Sequence, residues 1–148
     1  AEQVRQLGAD HLIVYSREDF VARTREITDG RGVDVVYDSV GKATFLKSLD
    51  CLRPLGMMVS FGQSSGKMDP IEVGLLAQKG CLFLTRPNLA ASTASREDLV
   101  ATAQDLFDVV QSGKVRIDVG RSFALKDAAE AHRVLEARQT TGSTVLLP

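Results

Sequence analysis

The sequence contains no apolar run long enough to span a membrane, and no signal-peptide pattern opens it. It also lacks an excess of charge of either sign: eighteen Lys and Arg oppose nineteen Asp and Glu, for a formal net charge of −1, and no basic block or stripe stands out. Nucleic acid and anionic membrane are therefore poor partners. Only two cysteines occur, Cys51 and Cys81, without CxxC spacing and each beside a leucine in an apolar stretch. That placement favours two buried thiols in a cytoplasmic protein. The two histidines, His11 and His132, are isolated, so no zinc-ligand cluster or other metal site is expected. His132 lies on a helical face and reads as a core-edge residue rather than a base.

One further absence bears directly on function. No GxGxxG or Walker-type loop exists, although a doubly wound nucleotide domain normally begins with a strand, a glycine-rich turn and a helix whose amides hold phosphate. The chain opens instead on AEQVRQLGAD, which reads as the tail of a helix capped by Gly8, followed directly by a strand. The expectation is that at least one strand–helix unit is missing upstream.

What is present has an ordinary globular composition, 44% apolar and 25% charged, which excludes a disordered chain. Residues 11–15 (HLIVY) read as a short buried strand. Ser16 with Asp19 gives a capping-box-like start to a helix showing Phe20, Thr24 and Ile27 on one face. VDVVYD at 33–38 is a β-branched run ending in an acid, as buried parallel strands often do. Phe45, Leu49 and Leu52 recur at helical spacing before Pro54. MMVSF at 57–61 is the next strand, and the loop GQSSGK follows at 62–67.

Asp69 and Pro70 suit the cap and first position of a helix over 70–78, with Gly80 closing it before the strand CLFLT at 81–85. Ser95 and Asp98 open a longer helix with a stripe of Leu99, Ala103, Leu106, Phe107 and Val110. Val115, Ile117 and Val119 alternate as a half-buried strand; Leu125, Ala128, Ala129, His132 and Leu135 form another helical face, and 143–147 closes as a strand. Strands alternating with helices imply right-handed crossovers, hence an α/β, Rossmann-like, doubly wound and mainly parallel sheet. The rhythm changes after residue 114, so residues 1–114 read as a partial nucleotide-binding domain, truncated at its N-terminal strand–helix unit. Residues 115–148 read as a strand–helix–strand that belongs to a neighbouring unit.

Four segments carry a resemblance: VDVVYDSVG at 33–41, SLDCLRPLGMMVSFG at 48–62, GLLAQKGCLFLTRP at 74–87 and EARQTTGSTVLLP at 136–148. In order and along nearly the whole chain, these resemble the zinc-independent quinone oxidoreductase branch of the medium-chain dehydrogenase/reductase superfamily. The resemblance implies hydride transfer from NADPH to a quinone or another activated carbonyl, with no zinc, and it covers only the later part of that family's plan. It implies a cofactor-binding set of Tyr15, Asp38, Ser39, Val40, Phe61, Gly62 and Arg86. Tyr15 corresponds to the tyrosine beside the 2′-phosphate of the adenosine ribose; Arg17 either adds charge there or is a solvated helix-start residue. Asp38 to Val40 correspond to the loop along the ribose and pyrophosphate. Phe61 and Gly62 correspond to the pair bordering the nicotinamide, where a glycine permits close approach to a planar ring. Arg86, with Pro87, corresponds to a signature near the same end or serves structure alone. Without the family match, Asp38 would read as a helix cap or turn residue.

The family implies a homodimer joined through residues 81–85. No triad or paired-carboxylate spacing appears, so no catalytic acid, base or nucleophile is assigned. The isolated chain is expected to bind NADPH weakly and to reduce no quinone. Two other readings compete: an S-adenosylmethionine-dependent methyltransferase, suggested by the acid-ended strand and later glycine turn, and a non-catalytic structural or dimerisation module.

Overall fold

A computed structural model describes residues 2–148, whose contacts divide into two compact units, one ending at Ser92 and one running from Thr93 to Pro148. In the first unit, α1 (Glu2–Gln6) ends at Gly8, whose φ of 96° closes the helix. Then come α2 (Phe20–Ile27), β1 (Val33–Asp38), α3 (Phe45–Asp50), β2 (Leu52–Ser60), α4 (Gly74–Gln78), β3 (Phe83–Thr85) and the short α5 (Leu89–Ser92). The strands form a parallel sheet in the order β1-β2-β3, with Tyr37 opposite Val59 and Met57 opposite Phe83. Three of the four expected core strands thus stand in one parallel sheet.

The fourth does not form. Residues 11–15 make no ladder; Val14 instead closes a local turn, accepting from Arg17 N at 2.8 Å and donating its own N–H to Glu18 Oε1 at 2.8 Å. An apolar, β-branched run becomes a strand only where a neighbour supplies the other half of each hydrogen bond. The cap of α2 is Asp19 rather than Ser16: its carboxylate accepts from Val21 N at 3.0 Å and Ala22 N at 3.4 Å. Arg25 then ties α2 to the end of α3. Its Nε and Nη2 both donate to the Asp50 carbonyl, at 3.1 and 2.7 Å, and its Nη1 to the Gly30 carbonyl at 2.8 Å.

Leu52 belongs to β2, not to the preceding helix, and Pro54 sits inside a bulge. Val33 pairs with Leu52 but Val35 with Met57, so the intervening Arg53–Gly56 segment swings out of the ladder, with Leu55 at φ 58°. α4 is also shorter than expected. Pro70 lies outside it because Met68 and Ile71 pack onto the core while Asp69 pairs with Lys42 at 3.3 Å, which holds the segment extended. β3 starts two residues late, since Cys81 at φ 54° still caps α4 through its N–H to the Ala77 carbonyl. Cys81 is consequently exposed, and only Cys51 is a buried thiol.

The core is Phe45, Leu49, Leu52, Met58 and Leu82, covered by Leu75 and Leu76 from α4. Each fully buried side chain of this size contributes about 1.5–3 kcal/mol.

The second unit contains α6 (Arg96–Gln111), β4 (Val119–Ala124), a single 3₁₀ turn (Leu125–Asp127), α7 (Ala128–Glu136) and β5 (Ser143–Leu147). Ser95 caps α6 as expected, accepting from Asp98 N at 3.0 Å and donating to Asp98 Oδ2 at 2.7 Å. β4 and β5 pair in parallel, with Val119 opposite Ser143. The strand therefore begins where the expected one ended, because β5 offers its first partner only at Val119. On α7 the inward stripe is Ala128, Ala131 and Val134, while His132 and Leu135 are exposed, one helical step away from the face expected. Among the described residues, no helix is long and apolar enough to cross a membrane.

Candidate functional site

The carboxyl ends of β1, β2 and β3 carry the segments singled out from the sequence, where ligands bind in open α/β sheets. Asp38, the last residue of β1, is 4% exposed, and its carboxylate is fully engaged. Oδ1 accepts from Val40 N and Gly41 N, both at 2.8 Å; Oδ2 accepts from Thr44 Oγ1 at 2.9 Å and Ser48 Oγ at 3.2 Å. A buried carboxylate is tolerated only with such partners. Its side chain shapes the loop and seats α3; no lone acid projects from it as a base.

The Asp38 carbonyl accepts from Phe61 N at 3.0 Å and Gly62 N at 3.1 Å, joining the ends of β1 and β2. Beyond that, Ser65 fastens the two loops. Its Oγ donates to the Val40 carbonyl at 2.7 Å and accepts from Ala43 N at 2.9 Å, while its own N–H reaches the Val40 carbonyl at 2.9 Å. Gly62 packs directly on this loop, for a β-carbon there would lie 2.2 Å from the Ser39 carbonyl oxygen. That contact by itself requires glycine. Arg86, just past β3, donates Nη1 to the Ser60 carbonyl at 3.0 Å, to Ser60 Oγ at 3.4 Å and, at 3.5 Å, to the Gly62 carbonyl. Phe61 remains about half exposed beside these bonds, at 51%.

An open cleft of about 270 Å³ runs along β1 and is lined by Ile13, Tyr15, Phe20, Thr24, Tyr37, Asp38, Ser39, Val40, Thr44 and Ser48. Tyr15 stands on its rim, edge-to-face with Phe20 at 6.5 Å between ring centroids. The structure therefore gathers Tyr15, Asp38, Ser39 and Val40 around one cleft and sets Phe61, Gly62 and Arg86 together at the neighbouring strand end. Arg17 is exposed and does not line the cleft.

Sequence reading missed Thr44, Ser48 and Ser65. Thr44 and Ser48 were detectable: they are spaced i, i+4 beside Phe45 and Leu49, and polar residues at core-facing spacing require a buried partner. Ser65 gave no such signal, since any serine of the loop could have faced the other. No group of three or more His, Cys, Asp and Glu among the described residues could hold a metal ion.

The chain matches the family model described as zinc-binding dehydrogenase over residues 7–146. It is 49% identical to a quinone oxidoreductase of Pseudomonas aeruginosa and 50% identical to a 2-haloacrylate reductase of a Burkholderia species, each aligned over 100% of this chain. It spans about half the length of these relatives, 46% and 45%. The solved structure of Escherichia coli quinone oxidoreductase complexed with NADPH superposes with a TM-score of 0.93 at 46% identity, covering all of this chain and 46% of that one. Despite the family's description, no cluster among the described residues has the donor set of a zinc site. With a family match over residues 7–146 and a fold that superposes on a solved relative along its whole length, this chain belongs to the zinc-binding dehydrogenase family, within the medium-chain dehydrogenase group that its sequence resembles.

Proposed function

We propose that the chain is the nucleotide-binding portion of an NADPH-dependent, zinc-independent quinone oxidoreductase that acts on a quinone or a related activated carbonyl. The observation that carries this reading is the interlocked pair of loops at the ends of β1 and β2, where Asp38, Gly62 and Ser65 hold the backbone next to an open cleft. The NADPH complex of the E. coli relative and the 46% identity to it support the same assignment. The residues fit such a cofactor. The cleft is lined by the aromatic pair Tyr15 and Phe20 and by Ser39 and Val40, whose loop is fixed by the buried Asp38 carboxylate.

NADPH, when bound, supplies the hydride. Tyr15 would border the 2′-phosphate end, Ser39 and Val40 the ribose and pyrophosphate, and Phe61, Gly62 and Arg86 the nicotinamide end. Asp38 would serve by holding the 39–41 backbone in shape, since its oxygens already have four donors. No residue of this chain is assigned as proton donor or base.

The parent is proposed to be a cytoplasmic homodimer joined through residues 81–85, in keeping with the apolar, unpaired edge of β3. The methyltransferase reading loses its support to the family match. A non-catalytic module remains distinguishable by assay. Titration with NADPH and with S-adenosylmethionine, followed by steady-state reduction of a simple quinone, tests all three. The expected result is weak, selective NADPH binding without turnover by this chain alone; binding of the methyl donor instead would overturn the assignment.

A further inference from the structure

The guanidinium of Arg86 is placed unusually for a residue that simply meets a ligand. Its three hydrogen bonds all run through Nη1 to oxygens at the end of β2: the Ser60 carbonyl, the Ser60 hydroxyl and the Gly62 carbonyl. None of these acceptors is a carboxylate, so the cation is spent on aligning backbone rather than on an ion pair. In the same segment, the Asp38 carbonyl accepts from both Phe61 N and Gly62 N. Gly62 is thereby held through its N–H by β1, through its carbonyl by the residue that follows β3, and by van der Waals contact with Ser39. The backbone of Phe61, between Ser60 and Gly62, is thus held on both sides, while its ring stays half exposed at the carboxyl end of the sheet.

We propose that Arg86 is a positioning residue, which clasps Ser60 and Gly62 so that Phe61 and Gly62 present a fixed backbone and ring to the nicotinamide end of the cofactor. The inference rests on the nucleotide-site reading above and adds that Arg86 acts through Gly62. An arginine suits this because its guanidinium stays charged and is more weakly hydrated than an ammonium. A charge-assisted donor is also stronger than a neutral one.

Two measurements on the 148-residue chain test it. Amide hydrogen exchange without ligand, compared between wild type, R86A and R86K, reads the clasp itself. In R86A, the Phe61 and Gly62 amides should exchange about tenfold faster or more, while Val36 and Met58 in the ladder stay unchanged. R86K should restore most of the protection, because one ammonium can donate to the same oxygens.

Binding provides the second readout. R86A should weaken NADPH by about tenfold and leave adenosine 2′,5′-bisphosphate, which lacks the nicotinamide, within about twofold. Unchanged exchange at Phe61 and Gly62 overturns the clasp. So does faster exchange throughout the sheet with equal loss of both ligands, which would make Arg86 a general stabiliser. Wild-type binding of both ligands with an unaffected R86A sinks the positioning role alone. A wild type that binds neither ligand at millimolar concentration sinks the nucleotide site and the positioning role together.

Discussion

A β-carbon on Gly62 would stand 2.2 Å from the carbonyl oxygen of Ser39, closer than two such atoms can approach. The first prediction follows from this contact. G62A must push apart the ends of β1 and β2, and overpacking of this kind costs about 1–3 kcal/mol. Urea denaturation should show that loss, together with loss of NADPH binding. G74A is the control. Its new methyl group meets nothing within 4 Å, and α4 should be neutral or gain up to about 1 kcal/mol from the better helix former. Equal stability of the two variants would show that the strand ends are not in contact.

How much of this site could be read beforehand depends on where each residue's partner lies. VDVVYD was legible because its apolar, β-branched character matches its place as β1. Ser95 was legible because its partner, Asp98, is three residues away. Residues 11–15 were misread because strand composition says nothing about whether a neighbour exists to complete the ladder. Gly62 was singled out for approach to a planar ring; its packing on Ser39 was not legible, because that neighbour comes from another strand end. The same holds for Ser65, whose hydroxyl finds the Val40 carbonyl across twenty-five positions. Periodicity reports which face is buried; it does not report which loops meet.

The Asp38 carboxylate offers a graded test. D38A leaves four donors without their acceptor in a buried place and should cost about 3 kcal/mol or more. D38N should be much milder, about 1–2 kcal/mol, because the amide oxygen can still take the Val40 and Gly41 amides. The Thr44 and Ser48 hydroxyls can then rotate to accept from the new amino group. Chemical denaturation of both variants checks the order. If D38N were as damaging as D38A, the negative charge itself would be the essential property.

Asp34 predicts a pH dependence away from the site. Hydrogen bonds from Arg31 and then Arg53 lower its pKa from 3.8 to about 2. A carboxylate whose folded pKa is depressed stabilises the fold above its unfolded value, and that stability is lost as pH falls through the folded value. The contribution should therefore be complete above about pH 4 and disappear toward pH 2. It should be small and weakened by salt, because the group is exposed. Thermal unfolding of wild type and D34N across this window should converge at the acid end. Curves that remain parallel down to pH 2 would exclude Asp34 as a contributor.

The two thiols should react at very different rates. Cys81 is exposed at the end of α4, whereas Cys51 is buried, and desolvation pushes its pKa up, which depletes the thiolate that alkylates. Iodoacetamide at mildly alkaline pH should label Cys81 first, with Cys51 at least about a hundredfold slower until urea is added. Mass spectrometry of the labelled peptides decides this. Comparable rates would mean that the α3–β2 junction opens far more readily than its packing implies.

The edge of the sheet carries the last prediction. Among the described residues, β3 pairs with β2 alone, so its other side presents an unmatched row of amides and carbonyls. Phe83 on that strand is 56% exposed, and no charge interrupts the segment before Arg86. An apolar edge of this kind invites another strand unless something covers it. A second copy related by a two-fold axis would offer the identical ladder in the antiparallel sense, so each hydrogen bond made once is made twice. F83K places a charge on this strand without altering the core, because Phe83 is not among the buried residues that form it. Sedimentation should find the wild type dimeric and a folded F83K shifted toward monomer, with circular dichroism confirming that the fold persists. A folded F83K that remains fully dimeric would place the contact elsewhere. A wild type that is monomeric at every concentration would show that this edge is not a contact between copies of the chain.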